Sequence, residues 1–178
     1  MRKKIYLKRS NVIVRDFEKS DIENKVQWIN NSENNQYLHY DIPLNVEKTT
    51  EWFYKRDISK RIDCVIEYNS IPVGLIGILN IDDTNQKAEF YISMGETEFK
   101  RKGISTIASI LMLQYCFEVL SLNKVYLNVD EKNIHARKLY EKVGFICEGV
   151  FVKDMFHRGE FINRMRYAIF INDLSVGD

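Results

Sequence analysis

The feature that most constrains the fold of this chain is a series of three strand-like segments that ends in a basic turn centred on a glycine. The segments are DCVIEY, VGLIGILNID and KAEFYISMG, and the turn is the stretch FKRKGISTIA at residues 99–108. Apolar residues then recur at helical spacing as far as Leu120, and a helix this apolar must be largely buried. We therefore predict a sheet whose third successive strand leads into a helix that packs on it.

The N-terminal segments predict one more strand and two helices. NVIVRDF has the alternation of a strand. Ser20 and Glu23 have the spacing of a capping box, so the first helix is expected to begin there. A second helix is expected from near Asn45 through Phe53.

The C-terminal half predicts a strand, a short helix and a hairpin. The strand NKVYLNVDE precedes a helix from Asn133 to about Val143, which Gly144 is expected to end. Two long strands around a turn at His157–Glu160 follow. The order β-α-α-β-β-β-α-β-α-β-β predicts an α+β fold with a mixed central sheet of about six to seven strands flanked by about four helices. We expect a single domain over residues 1–178, with a loose tail at its last few residues.

Composition and charge exclude several classes of function. A net charge of +1 gives no global basic field, so no nucleic-acid partner is expected. The three cysteines form no CxxC pair and the three histidines have no partner at ligand spacing, so neither a disulfide framework nor a metal site is expected. No segment has the pattern of a signal peptide or the length of a membrane span, so we expect a cytoplasmic protein without a membrane partner.

The basic turn has the features of an anion site. Free amides and aligned peptide dipoles at a helix N-terminus attract phosphate, and Gly103 lets consecutive amides converge on it. Lys100, Arg101 and Lys102 add positive charge. Neither GxxxxGK[ST] nor GxGxxG is present, so the turn is neither an ordinary P-loop nor a dinucleotide fingerprint. On these residues alone, an anion site and a solvated cationic face are about equally supported.

A second motif follows the basic turn. NIHARKLYEKVGF contains Asn133, Ala136, Tyr140 and Gly144 at the spacing N-x-x-A-x-x-x-Y-x-x-x-G-F. Together with the turn it resembles the GNAT superfamily of N-acetyltransferases, and the resemblance covers essentially the whole chain. The tail resembles the branch that contains ribosomal-protein alanine acetyltransferases and spermidine acetyltransferases. The early stretch QWINNSENNQYLHYDIP is similar, more loosely, to acetyltransferases of nucleotide-linked 4-amino sugars.

The resemblance implies acetyl-CoA as the acetyl donor and a set of residues that bind it. The family's loop, [QR]xxGx[GA], holds the pyrophosphate; here Lys100 stands in place of Gln or Arg, and Ser105 in place of Gly or Ala. The end of the preceding strand is expected to pair its backbone with the pantetheine arm and to stabilise the oxyanion. The coenzyme-binding residues so implied are Ser93, Met94, Gly95, Lys100, Arg101, Lys102, Gly103, Ile104, Ser105, Thr106 and Asn133.

The resemblance also implies catalytic residues. Tyr140 is expected to protonate the leaving thiolate as a general acid; its helical spacing alone would favour a core tyrosine. Glu89 is expected to take the proton of the attacking amine, because it lies in the strand that leads to the acyl site. Glu67 and Glu148 are alternatives, and an ordinary surface glutamate is the competing interpretation for each.

The acceptor is expected to bind at Tyr37, His39 and Tyr40, where the superfamily builds its acceptor pocket, although an ordinary capping loop is an equal alternative. The implied reaction is direct acetyl transfer to a primary amine, since neither motif contains a cysteine for a covalent relay. A nucleotide-linked amino sugar is favoured by the likeness of the early stretch to acetyltransferases of such sugars. Residues 36–43 contain one acidic residue, Asp41, which mildly disfavours a cationic acceptor. The alternatives are a protein N-terminal amine, a polyamine, an aminoglycoside, or a non-catalytic acyl-CoA-binding module. A homodimer is also considered, since dimerisation is common in such families.

Overall fold

The computed structural model describes residues 4–174 and has one eight-stranded sheet with four α-helices. The predicted α+β fold with a mixed sheet is confirmed, with a slightly higher strand count than expected. The expected loose tail at the last few residues falls on 175–178, outside the described residues. The elements are β1 Tyr6–Arg9, β2 Val12–Asp16, α1 Ile22–Asn30, α2 Val46–Lys55, β3 Ile62–Tyr68, β4 Ile71–Asp82, β5 Lys87–Met94, α3 Ile104–Gln114, β6 Lys124–Asp130, α4 Ile134–Val143, β7 Ile146–His157 and β8 Glu160–Phe170.

The strand that the sequence interpretation missed is β1. It has only four residues, YLKR, and its side chains are exposed or half-buried because it forms an edge of the sheet beside β2. A short edge strand with two cations carries little of the apolar alternation that marks a strand. The sequence therefore predicted no strand before NVIVRDF.

The first helix also begins differently from the prediction. Ser20 lies inside a short 3₁₀ turn, Lys19–Asp21, and the capping box is formed by Glu18 and Asp21. Arg15 holds both oxygens of the Asp21 carboxylate, at 2.8 and 2.9 Å, and this ion pair fixes the turn. The second helix begins as predicted, since Asn45 caps it by accepting a hydrogen bond from the Lys48 amide at 2.8 Å.

The helices pack on opposite faces of the sheet. Successive residues of β3 show this, because Cys64 and Ile66 belong to the larger core with α3 and α4, whereas Val65 belongs to the smaller core with α1 and α2. The predicted helix after the basic turn, α3, is buried as expected and continues into a π-helical turn, Tyr115–Val119. Gly144 ends α4 in the left-handed conformation, as predicted.

The sheet opens between β5 and β6, its parallel neighbours. The order of the strands in the sheet is β1-β2-β3-β4-β5-β6-β8-β7. The pairing of β5 with β6 extends only as far as Glu89 and Tyr126. Both strands continue, β5 to Met94 and β6 to Asp130, without pairing to each other. A wedge therefore opens within the sheet, and it determines the position of the candidate site.

Candidate active site

A cleft of about 1010 Å³ occupies the wedge between β5 and β6. Most of its lining comes from five parts of the chain: the segment between α1 and α2, the end of β5, the basic turn, the end of β6, and α4. Arg61, just before β3, and residues of β4 also contribute to it. Most of the predicted site residues lie in this lining. The exceptions are Glu89, Gly95 and Lys102.

The basic turn presents unpaired amides to the cleft. Gly103 is the N-cap residue of α3, with φ of 77°, and no side chain caps the helix. The first helical bond runs from the Ile107 amide to the Gly103 carbonyl, so the amides of Ile104, Ser105 and Thr106 have no helical partner. A Cβ at Gly103 would meet no atom within 4 Å, so glycine is required by the backbone conformation and not by lack of space. The arrangement is suited to binding an anion.

The three cations of the turn have different surroundings. Arg101 lines the cleft, and so does Lys100, whose ammonium donates a hydrogen bond to Asn34 Oδ1 at 2.8 Å. Lys102 lies instead 4.8 Å from the centre of the Phe99 ring and outside the lining, which does not support its predicted contact with a coenzyme.

Two further lysines that the sequence interpretation missed, Lys138 and Lys142, line the cleft from α4. Their spacing of four residues, on the same helix as Tyr140, is the signal that could have found them.

The glycine at the end of the strand has a role other than the predicted one. A Cβ built on Gly95 would overlap the Trp28 indole ring, so glycine is needed there for packing and not for the approach of a ligand. Its amide donates to the Val73 carbonyl of β4 at 2.8 Å. Because successive backbone groups of a strand point to opposite edges, those of Ile92 and Met94 face the wedge. The edge that can pair with an extended ligand is therefore offered by Ile92 and Met94 and not by Ser93 and Gly95.

Tyr140 is buried, at 7% exposure, and its ring packs against Phe90, Phe145 and Tyr167. Burial raises the pKa of its phenol well above the ordinary value. Within residues 4–174 no group forms a hydrogen bond with the Tyr140 hydroxyl. Every fully buried side-chain oxygen in that range has a hydrogen-bond partner, so the hydroxyl of Tyr140 is not fully buried. Because Tyr140 lines the cleft, its hydroxyl is open to the cleft. Burial of the ring and access of the hydroxyl to the cleft therefore occur together in Tyr140, so the core-tyrosine and proton-donor interpretations do not exclude each other.

Asn133, one of the predicted coenzyme-binding residues, is also the N-cap residue of α4. Its side chain caps α4 by accepting a hydrogen bond from the Ala136 amide at 3.2 Å, and it also lines the cleft.

None of the three predicted carboxylates, Glu67, Glu89 and Glu148, lies in the lining of the cleft. Glu89 lies just below the lining, where its oxygens accept hydrogen bonds from Asn80 at 2.8 Å and from Asn128, a lining residue, at 3.1 Å. The two alternatives lie elsewhere in ion pairs, Glu67 with Arg15 and Glu148 with Lys124.

The lining instead contains two carboxylates that the sequence interpretation did not consider, Glu33 and Asp130. Asp130 is 5% exposed and accepts a hydrogen bond from the Lys132 amide at 2.8 Å. Its position at the end of β6, beside the wedge, could be recognised only once the parallel pairing of β5 and β6 was known.

The predicted acceptor residues Tyr37, His39 and Tyr40 all line the cleft. The Tyr37 hydroxyl donates to the Lys132 carbonyl at 3.3 Å. The His39 ring lies 4.8 Å from that of His157, and burial together with this neighbouring imidazole lowers the pKa of His39. The segment between α1 and α2 is thus an ordered wall of the cleft and not a peripheral loop.

A cationic cluster lies behind the part of the cleft that is lined by Tyr37, His39 and Tyr40, the predicted acceptor residues, which we call the acceptor end. Arg61, a lining residue, forms two hydrogen bonds with the buried Asp63 at 2.7 and 2.8 Å, and Arg56 lies 3.5 Å from the same carboxylate. The Lys25 ammonium lies 3.4 Å from the centre of the Trp52 ring, and the residue is 6% exposed. Burial, with the nearby arginines, lowers the pKa of Lys25 to about 8.

Residues 4–174 contain neither a candidate metal cluster nor a helix able to span a membrane. No three His, Cys, Asp or Glu side chains in that range come together in a way that could hold a metal ion. No helix there combines the length and apolarity needed to cross a membrane.

Comparison with known proteins identifies relatives of the whole architecture. The profile of the acetyltransferase (GNAT) domain matches residues 11–146. The spermidine N(1)-acetyltransferase of Escherichia coli K12 is 31% identical over 162 residues, which cover 90% of this chain and 86% of that protein.

Solved structures agree with this relationship. The spermidine N-acetyltransferase of Vibrio cholerae in complex with CoA and spermine superposes with a TM-score of 0.86 at 26% identity, over 93% of this chain and 98% of that one. A dodecameric structure of spermidine N-acetyltransferase from Vibrio cholerae, in an intermediate state, gives a TM-score of 0.78 at 25% identity, over 92% and 96% of the two chains.

Proposed function

The chain belongs to the GNAT family of acetyltransferases, and we propose that it transfers the acetyl group of acetyl-CoA to a primary amine of a polyamine. The enzyme is an acyltransferase with acetyl-CoA as the donor. The acceptor and the roles of individual residues are the parts that we infer.

The observation that carries the proposal is the convergence of three features in one cleft. The unpaired amides at the start of α3 suit a pyrophosphate, and the free edge of β5 suits an extended amide chain. The hydroxyl of Tyr140, on α4, is open to the same cleft. An acyl-CoA combines a pyrophosphate, an extended amide chain and a thioester, whose leaving thiolate needs a proton donor, in one molecule. Arg101, Lys138 and Lys142 supply positive charge where its phosphates would lie.

The reaction requires two proton movements. The neutral amine attacks the thioester carbonyl, a C–N bond forms, the C–S bond breaks, and the backbone amide of Met94 or Ile92 stabilises the negative charge on the carbonyl oxygen. Tyr140 then donates its proton to the thiolate, for which its raised pKa keeps it protonated. The amine's proton passes to a carboxylate.

For that carboxylate we infer Glu89, acting through water beside Asn128, with Asp130 as the alternative in the lining. Separate Glu89→Gln and Asp130→Asn variants distinguish them, since loss of the base lowers kcat/KM and removes the acid limb of its pH profile. If neither variant alters that limb, neither carboxylate is the base.

Two observations support a polyamine as the acceptor. Relatives that cover most of the chain act on spermidine, which favours this acceptor over the nucleotide-linked amino sugar that the sequence suggested. The cleft is also lined by two carboxylates, Glu33 and Asp130, which lie outside residues 36–43. The sequence argument against a cationic acceptor had counted only Asp41, within that range. Two carboxylates at the acceptor end can hold the ammonium groups of an extended polycation.

A nucleotide-linked amino sugar is the second candidate because of Arg61. This guanidinium lines the cleft, and behind it Lys25 and Arg56 outnumber the single carboxylate of Asp63. A locally positive wall would favour the diphosphate of such an acceptor.

We further infer that the chain forms a homo-oligomer. The edge strand β7 and its neighbour β8 expose several large apolar side chains, among them Val152, Phe156 and Phe161 at 72, 63 and 64%. Such a patch is typical of an interface, and a structural relative is described as dodecameric. Light scattering on the protein and on a Phe156→Lys variant tests this, with a smaller particle expected for the variant; a monomeric wild-type protein would exclude it.

The experiment that tests the proposed function is a measurement of thiol release from acetyl-CoA with a panel of amines. The panel contains spermidine, a UDP-4-amino sugar, an aminoglycoside and a peptide with an N-terminal alanine. Release with spermidine alone, and its loss in a Glu33→Gln, Asp130→Asn double variant, is expected. Release with the amino sugar alone, reduced by Arg61→Gln, would establish the second candidate instead.

A further inference from the structure

The turn between β7 and β8 contains an arginine where local structure does not favour one. His157 pairs with Glu160, so Arg158 and Gly159 form a two-residue loop, and both have positive φ, 50° and 89°. Hairpin turns of this conformation favour Asn-Gly or Asp-Gly, because most side chains are strained at positive φ. The reason for an arginine at this position must therefore lie in what its side chain contacts.

The Arg158 side chain reaches the wall of the cleft. Its Nη2 donates hydrogen bonds to the Asn35 carbonyl oxygen at 3.1 Å and to Asn35 Oδ1 at 2.8 Å. Asn35 is 5% exposed, and its own amide donates to the Ile29 carbonyl in α1 at 3.1 Å. Arg158 thus links the hairpin turn to α1 through a buried asparagine that is 123 residues away in the chain.

The neighbouring residue strengthens this contact. His157 Nε2 lies 3.1 Å from the Gln36 carbonyl oxygen, and its ring contacts that of His39. Residues 36–40, which follow Asn35 directly, all line the acceptor end of the cleft. The hairpin turn therefore holds the segment whose side chains surround the acceptor.

We propose that Arg158 is a positioning residue of the acceptor site, which sets the affinity for the amine by fixing Asn35 and the residues after it. The inference rests on the proposed acetyl transfer for its kinetic consequence, but its structural consequence is independent of any activity. Arg158 is not in the lining of the cleft and acts through Asn35.

The decisive variant is Arg158→Asn. Asparagine suits the turn better than arginine, so the hairpin is retained, but its side chain is too short to reach Asn35. Loss of a charge-assisted pair of hydrogen bonds predicts an acceptor KM raised about tenfold, with kcat and the KM for acetyl-CoA changed less than about twofold. Hydrogen exchange of residues 31–40 is expected to accelerate, and Arg158→Lys is expected to restore part of both effects.

The matched control is Lys153→Asn. Lys153 is an exposed cation at positive φ, 51°, on the same hairpin, and within residues 4–174 its side chain forms no hydrogen bond or ion pair with residues 31–40. This variant removes the same charge and should leave both KM values and the exchange of residues 31–40 unchanged.

The outcomes separate the two proposals. An unchanged acceptor KM together with unchanged exchange in Arg158→Asn would overturn the role of Arg158, and so would equal changes in Lys153→Asn. If the wild-type protein acetylates no amine, the proposed function fails, and the exchange of residues 31–40 still decides whether Arg158 positions them.

Discussion

The Lys100 ammonium donates a hydrogen bond to Asn34 Oδ1 at 2.8 Å and so joins the basic turn to the segment that lines the acceptor end of the cleft. The amide of Asn34 in turn donates to the Gly95 carbonyl at 2.7 Å and to the Trp28 carbonyl at 3.2 Å. Where the family has Gln or Arg, this chain uses a lysine that connects the two ends of the site. The Lys100 side chain thus links the basic turn to the segment between α1 and α2 that lines the cleft.

This connection predicts that Lys100→Met weakens the binding of both substrates, acetyl-CoA and the amine. Removing a hydrogen bond of a charged group costs about 1.5–3 kcal/mol, so the KM values for acetyl-CoA and for the amine should each rise about tenfold. Lys102→Met is the matched control, because Lys102 lies outside the lining, and both KM values should stay within about twofold of the wild type. Steady-state kinetics that show an effect on acetyl-CoA alone would mean that the contact with Asn34 has no functional role.

Gly103→Ala should weaken acetyl-CoA binding without a steric clash. Its φ of 77° strains any residue with a Cβ, by about 1 kcal/mol or more, and relief of that strain would tilt the amides at the start of α3. We expect Kd for acetyl-CoA to rise about tenfold in calorimetry. Gly149→Ala is the control, since a Cβ there also meets no atom within 4 Å and its φ is not positive. Equal affinities for the two variants would argue against an anion site at the turn.

Tyr140→Phe should lower kcat about 100-fold and leave the KM for acetyl-CoA unchanged, because a general acid acts on the leaving group and not on binding. Since burial raises its pKa, deprotonation of Tyr140 should cause no loss of activity as the pH rises towards 10. Thermal stability should hardly change, because no hydrogen bond to the hydroxyl is made within residues 4–174.

Tyr167→Phe provides the reciprocal control for Tyr140. The Tyr167 hydroxyl donates to Glu141 at 2.7 Å and accepts from Arg137 at 3.4 Å. We expect this variant to lose stability, by about 1 kcal/mol, and to keep its kcat. A kcat for Tyr140→Phe that equals the wild-type value would remove Tyr140 from the reaction.

Lys25→Met should stabilise the protein near neutral pH. The pKa of Lys25 falls from 10.5 to about 8 on folding, so the unfolded chain binds more protons and stability rises with pH between these two values. Below pH 8 the full cost of the buried charge is present, on the order of 3 kcal/mol. The advantage of Met over Lys should therefore be greatest at pH 7 and shrink towards pH 10.

Urea unfolding of both proteins at pH 7, 9 and 10 measures this difference. The variant replaces a long side chain with one of similar length, so packing against Trp52 is retained. A difference in the free energy of unfolding that is independent of pH would mean that the ammonium is not destabilised by its surroundings.

The sequence predicted the parts of the molecule that depend on local patterns. The start of α2 at Asn45, the end of α4 at Gly144 and the turn at His157–Glu160 follow from residue types at fixed spacings, and the structure confirms them. The order of the predicted elements gave the α+β fold with a mixed sheet, and the resemblance to the GNAT superfamily agreed with it. The short edge strand β1 was missed because its four residues carry no clear pattern.

The site was harder to predict because its contacts join distant parts of the chain. Gly95 is required by the Trp28 ring 67 positions earlier, which no local pattern reveals. Asp130 and Glu33 meet in one cleft only because β5 and β6 separate after Glu89. The contact of Arg158 with Asn35 spans most of the chain.

The measurement that tests the central claim most directly is identification of the products formed from acetyl-CoA and spermidine by mass spectrometry. Acetyl transfer to a polyamine predicts monoacetylated spermidine and free CoA in equal amounts, both greatly reduced in Tyr140→Phe. Binding of acetyl-CoA without an acetylated product from any amine in the panel would contradict it and indicate a non-catalytic acyl-CoA-binding protein.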